Sequence, residues 1–161
     1  MSTAAVILAA GGGTRWTGSG HKLLIDFRGR PLVTWSIEAA DAASLDELIV
    51  VAGAVDLTSL LPERATLLRN ADWASGQAGS VQVAIAHATL VGHEAVLLGL
   101  ADTPMVPSSA WRSVADQAGD LVTATYEGEW RPPVKVARRL WSELPATGDG
   151  GARSLLLGRP S

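Results

Sequence analysis

The sequence contains no cysteine among its 161 residues, which excludes disulfides, thiolate zinc sites and cysteine nucleophiles and fits a reducing cytoplasm. It lacks a block of like charge. Its 13 basic and 16 acidic residues leave a formal charge of −3, so nothing marks a nucleic-acid or anionic membrane surface. It also lacks a long apolar run. The stretch from Ala4 to Ala10 has no basic region before it and is too short to span a bilayer, and Asp102 soon ends the apolar run from Ala95 to Leu100. No internal repeat, linker or low-complexity segment breaks the chain. With 47% hydrophobic and 18% charged residues, the composition is that of a soluble, folded protein. At roughly 100–200 residues per domain, residues 1–161 form one domain with one core.

Three short, almost wholly apolar runs recur: Ala5 to Ala9, Leu48 to Ala52 and Ala95 to Leu100. Strands apolar on both faces belong to a parallel sheet covered by helices on each side. Helical patterns lie between them. Pro31 is suited to a first helical position, followed by Leu32, Trp35, Ile37 and Ala39 before Asp41. A second helix is predicted from about Gly79 to Leu90, with Val81, Ala84, Ile85 and Ala88 on one buried face. A third begins near Pro107, capped by Ser108 or Ser109, and carries Trp111 and Val114. Leu121 to Tyr126 reads as another strand, with Val134 to Ala137 pairing beside it. The alternation predicts a doubly wound, mostly parallel α/β domain with right-handed crossovers. Ligands in such sheets sit beyond the carboxyl ends of the strands.

Two loops at those ends are chemically unusual. After the first strand come Ala9, Ala10, Gly11, Gly12, Gly13, Thr14 and Arg15, then Gly18, Gly20, His21 and Lys22. Successive glycines let a ligand approach the backbone closely, and their amides can form an anion-binding nest. Arg15 and Lys22 add two cations, enough to hold a triphosphate. Neither standard phosphate motif fits: no Gly-Lys-Ser/Thr follows the last glycine, and no helix opens at once for a dinucleotide fingerprint. Taken alone, the loop is equally a glycine turn with solvated basic residues. The second loop places Asp102 directly after an apolar run, where a hard cation such as magnesium could take one carboxylate plus a substrate's phosphates. Asp102 could instead cap the turn at Thr103-Pro104.

Together these segments resemble the nucleotidyltransferases of the molybdenum cofactor, the molybdopterin cytidylyl- and guanylyltransferases with their NTP-transferase domain. The resemblance rests first on Leu8-Ala9-Ala10-Gly11 with Arg15 and Lys22, followed by Leu23-Leu24 and Gly29-Arg30-Pro31-Leu32. It continues through Asn70, Trp73, Gly76 and Ser80, through Ala101-Asp102-Thr103-Pro104, and through Pro132-Pro133-Val134, Trp141 and the segment Gly148 to Arg153. It implies a Rossmann-like nucleotidyltransferase fold and transfer of a nucleoside monophosphate to a phosphorylated acceptor such as molybdopterin, with release of pyrophosphate and with Mg2+ as cofactor. The amides from Ala10 to Gly13, entered from Ala9, would face the nucleotide. Arg15, Lys22 and Asp102 would be catalytic, with Asp102 as metal ligand. Asn70, Gly76 and Ser80 would lie near base and ribose, and Pro133, Asp149 and Arg153 toward the acceptor. Ordinary roles compete for several of these: Asn70 as a turn residue, Ser80 as a helix cap, Asp149 in a Gly-Asp-Gly turn.

Ala10 resembles the cytidylyl members, which favours CTP over GTP. A molybdoenzyme or its chaperone would receive the product. Two departures stand out. Ala101 replaces the usual Gly beside the metal ligand, and relatives continue past the equivalent of Ser161 through one more strand to an Asp-x-Asp-Thr-Pro segment. The fold is therefore expected without that C-terminal strand, as a shortened product or one of impaired activity. A sugar-phosphate nucleotidyltransferase is an alternative, because Gly12-Gly13-Thr14-Arg15 also looks like that Gly-x-Gly-Thr-Arg signature. A non-catalytic nucleotide- or cofactor-binding module is another. His21, His87 and His93 have no cluster partner in the sequence, and His87 reads as structural.

Overall fold

The computed structural model describes residues 2–10, 22–73 and 76–145. Its centre is a six-stranded sheet. The strands are β1 (Thr3–Ala9), β4 (Glu47–Ala52), β5 (Ala65–Arg69), β6 (Ala95–Leu100), β7 (Leu121–Tyr126) and β8 (Glu129–Ala137), in the order β5-β4-β1-β6-β8-β7. The first four strands in that order pair in parallel, while β8 runs antiparallel to both β6 and β7. A two-stranded ribbon, β2 (Asp26–Phe27) with β3 (Arg30–Pro31), stands apart. This is the mostly parallel, doubly wound α/β architecture that the alternating pattern predicts.

The three apolar runs are β1, β4 and β6, three of the four inner strands, and their side chains divide strictly by parity. Ala4, Val6 and Leu8 of β1 join one core with Val81, Ala84, Ile85 and Ala88 of α2 (Gln77–Val91). Ala5, Ile7 and Ala9 join the other, against α1 (Leu32–Ala42) and α3 (Ser108–Asp116). Helices on both faces explain why these strands carry no polar side.

Two packing details need a glycine or a polar group. Gly99 of β6 faces Trp111 of α3 so closely that a Cβ there would lie 2.4 Å from two atoms of the indole ring. Lys135 of β8 is buried, and its ammonium donates to the carbonyls of Gln117 at 2.8 Å and Ala115 at 3.4 Å. A cation there satisfies the last carbonyls of α3 and sits at the negative end of its dipole.

Several local expectations change. Pro31 precedes α1 instead of opening it, because it pairs with Asp26 in the ribbon and Leu32 N–H donates to Ile25 O at 2.7 Å. The buried face of α1 is Val33, Ser36, Ile37 and Ala40. Leu32, Trp35 and Ala39 are half-buried; Trp35 packs edge-on to Phe27 of the ribbon and donates its indole N–H to Phe27 O at 2.7 Å. Neither Ser108 nor Ser109 caps α3, because Pro107 occupies the cap position and no side chain bonds there.

Candidate functional site

In strand order, β1 lies between β4 and β6, and the chain reaches those neighbours from opposite faces, through α1 and α2. That makes the carboxyl end of β1 the topological switch point, where the connections diverge and leave a crevice. Ala10, which follows β1, and the turn after β6 lie at this end of the sheet. The register is close: Ala9 pairs with Ala52 and Leu8 with Leu100, and Ala101 N–H donates to Leu8 O at 3.2 Å. Asp102 thus emerges beside the end of β1, exposed, on a turn braced by Thr103 Oγ1 donating to Leu100 O at 2.9 Å. Among the described residues, no group of three or more His, Asp or Glu could hold a metal ion. A single carboxylate still suits magnesium, which keeps waters and takes substrate phosphates for its other positions.

The second cluster assembles from β5 and α2. Asn70 follows β5 and hooks onto β4, its N–H donating to Ala52 O at 2.8 Å. Its side chain is engaged at both ends: Oδ1 accepts from Asp72 N–H at 3.0 Å and Nδ2 donates to Ser80 Oγ at 3.0 Å. Asn70 is therefore a turn residue, and Ser80, buried in the first turn of α2, braces it instead of capping the helix. Gly76 enters α2 at φ +119° and ψ 171°, a conformation essentially reserved for glycine. Because α2 returns from the end of β5 to the start of β6, its positive N-terminus faces the same edge as the crevice.

Gly53, which the sequence reading passed over, joins the two clusters. A Cβ there would lie 2.6 Å from both the Ala10 carbonyl oxygen and Trp73 Cβ. Only a residue without a side chain lets the start of the glycine loop and the Asn70–Trp73 turn close over the end of β4. The available signal was a glycine directly after the apolar run Leu48 to Ala52.

Ala9 and Ala10 are buried at the carboxyl end of β1. Lys22 begins the 3-10 turn Lys22–Leu24 ahead of the ribbon. Pro133 is buried in β8, one residue before Val134, which pairs with Leu98, so it too lies near the carboxyl end of β6. Gly11, Gly12, Gly13, Arg15, Asp149 and Arg153 lie outside the described residues.

Far from the crevice, two histidines do find partners. Glu47, at the start of β4, accepts from His87 Nε2 at 2.9 Å, from His93 Nε2 at 2.7 Å and from Thr66 Oγ1 at 2.6 Å. Burial alone would raise this carboxyl, but the three hydrogen bonds outweigh it and hold Glu47 below the usual carboxylate range. The sequence offered no partner for either histidine because Glu47 lies 40 and 46 residues away. His87, on α2, thereby ties that helix to the start of β4. No helix among the described residues is long and apolar enough to cross a membrane.

Known proteins share this framework. A nicotine blue oxidoreductase of Paenarthrobacter nicotinovorans is 31% identical over 171 residues, covering 96% of this chain and 81% of that one. The bifunctional protein GlmU of Sorangium cellulosum is 32% identical over 149 residues, 84% of this chain, and that of Cutibacterium acnes 46% identical over 50 residues. The chain spans only 31% and 12% of those two proteins' lengths. In fold, the Mycobacterium tuberculosis H37Rv protein Rv0371c, in a complex with manganese, superposes with a TM-score of 0.82 at 24% identity, covering 100% of this chain and 85% of that one. The model of the MobA-like NTP transferase domain matches residues 5–160. The chain belongs to that nucleotidyltransferase family.

Proposed function

We propose that the protein transfers a nucleoside monophosphate from a nucleoside triphosphate, with CTP favoured, to a phosphorylated small molecule such as molybdopterin. The observation that most supports this is that Ala10, the Asn70–Ser80 cluster and Asp102 all lie at the carboxyl ends of the parallel strands. In the proposed reaction an acceptor phosphate oxygen attacks the α-phosphorus in line, a new P–O bond forms, and the bond to pyrophosphate breaks. The attacking phosphate is already ionised near neutral pH, so no general base is required. Charge grows on the departing oxygens, and the Gly11–Gly13 amides, Arg15 and Lys22 are suited to offset it. Asp102 would hold a divalent cation, which supplies further charge neutralisation on the phosphates. The manganese complex of Rv0371c supports such an ion. In this reading Asn70, Gly76 and Ser80 shape the base and ribose side, while Pro133, Asp149 and Arg153 face the acceptor.

A sugar-phosphate acceptor is the second reading, supported by Gly12-Gly13-Thr14-Arg15 and by the segment shared with the GlmU proteins. Binding titrations of CTP, GTP and ATP with magnesium, followed by pyrophosphate release against a panel of phosphorylated acceptors, test both. The expected result is tightest binding of CTP and release only with a pterin phosphate. A GTP preference would overturn the cytidylyl assignment, and release with a sugar phosphate would favour the second reading. Because one relative is named an oxidoreductase, the same samples should be assayed for oxidation of reduced nicotinamide dinucleotides. Turnover there without pyrophosphate release would overturn nucleotidyl transfer.

A further inference from the structure

Ser36 occupies the buried face of α1 among Val33, Ile37 and Ala40, and only 3% of it is exposed. A serine inside a helix ordinarily turns its hydroxyl back to a carbonyl of the preceding turn or out to water. Here the hydroxyl reaches across to another layer and donates to Ala101 O at 3.0 Å. Ala101 is itself buried and directly precedes Asp102. Both backbone polar groups of Ala101 are therefore held from outside the turn, the N–H by Leu8 of β1 and the carbonyl by Ser36 of α1.

The same helix also holds the Lys22–Leu24 turn. Its first residue donates to Ile25 O, just after the Lys22–Leu24 turn, and Leu23 packs in one core with Val33 and Ile37. One rigid element thus touches both the segment that carries Lys22 and the peptide that carries Asp102.

We propose that Ser36 is a positioning residue that fixes the Asp102 turn relative to the Lys22 segment, so that cation and carboxylate meet one metal–triphosphate. This rests on the nucleotidyl-transfer reading. It gives Ser36 a role that helix propensity and core packing do not require, since alanine would serve both better.

The test compares the parent chain with Ser36→Ala and Ser36→Thr. Manganese binding is followed by electron paramagnetic resonance in the presence of α,β-methylene-CTP, alongside metal-free binding of the same analogue and thermal melting. Ser36→Ala is expected to weaken manganese binding about tenfold while metal-free analogue binding stays within about twofold, a difference large enough to read as one power of ten in the constant. Ser36→Thr, which keeps the hydroxyl, should restore most of the loss. Parent-like manganese binding by Ser36→Ala would overturn the proposal, as would an equal loss of metal-free binding, which marks a purely structural role. If Ser36→Ala fails to fold, Ser36→Cys keeps the volume with a weak donor, and the same two outcomes decide. A parent chain that binds no metal–triphosphate at all would remove the nucleotidyl-transfer reading, and this proposal with it.

Discussion

Asn70 Nδ2 donates to Ser80 Oγ at 3.0 Å, joining the turn after β5 to the first turn of α2 through two buried side chains. Ser80→Ala leaves that amide without its partner in a site water does not reach, which costs about 1–3 kcal/mol. Chemical denaturation should register this loss. Triphosphate binding should weaken as well, because the turn loses its brace. Unchanged stability would mean that Asn70 finds another acceptor.

Asp102→Asn keeps size and most hydrogen bonding but removes the charge. Magnesium-dependent turnover should fall about 100-fold or more, as losses of transition-state charge stabilisation do. Asp102 is exposed, so stability should move by no more than about 0.5 kcal/mol. Steady-state kinetics with pyrophosphate detection would decide, and near-parental activity would leave Asp102 only its turn.

Lys22→Ala and Arg15→Ala should each weaken triphosphate binding or slow transfer while the melting transition stays in place. Calorimetric titration with CTP and scanning calorimetry separate the two effects. If both variants turn over like the parent, the glycine loop does not hold phosphates.

Gly53→Ala forces a methyl against the Ala10 carbonyl and Trp73. Overpacking of this kind costs about 1–3 kcal/mol. Part of the response should be a shift of the glycine loop, read as a raised KM for the triphosphate. A change in stability with an unaltered KM would confine Gly53 to packing.

Glu47 gives the acid limb of the stability curve. Its folded pKa lies below the ordinary value, so its contribution is fully present above that ordinary value and is lost as pH falls through the depressed one. Urea unfolding followed from about pH 7 to pH 3 should show a shallower acid decline for Glu47→Gln than for the parent. Parallel curves would show that the interactions of Glu47 with His87, His93 and Thr66 add nothing net.

Strands β1, β4 and β6 could be read from the sequence because each is buried on both faces, a pattern that needs no long-range knowledge. Two kinds of element escaped. The edge strand Ala65–Arg69 is half-buried and follows charged Glu63 and Arg64, and the ribbon strands are two residues each, too short for any period. At the candidate site, Asp102 stood out by its place after an apolar run and Asn70 only through the family resemblance. Ser36 could not be found, since what matters there is an oxygen 65 residues away, and the one local sign at Gly53, a glycine after an apolar run, does not say what closes over it. The Glu47 cluster draws on β4, β5, α2 and the loop before β6, so no local window contains it.

Gly99 and Trp111 share one volume between two positions of the chain. The indole fills the space that any side chain at residue 99 would claim. Neither position can therefore drift alone: Gly99→Ala should be costly by itself and far cheaper in company with Trp111→Leu, a coupling that a double-mutant cycle measures directly. A substitution that shrinks residue 111 frees space at residue 99 in the same step. Gly99 lies three residues before Asp102 in the chain, so that exchange would be felt at the foot of the crevice.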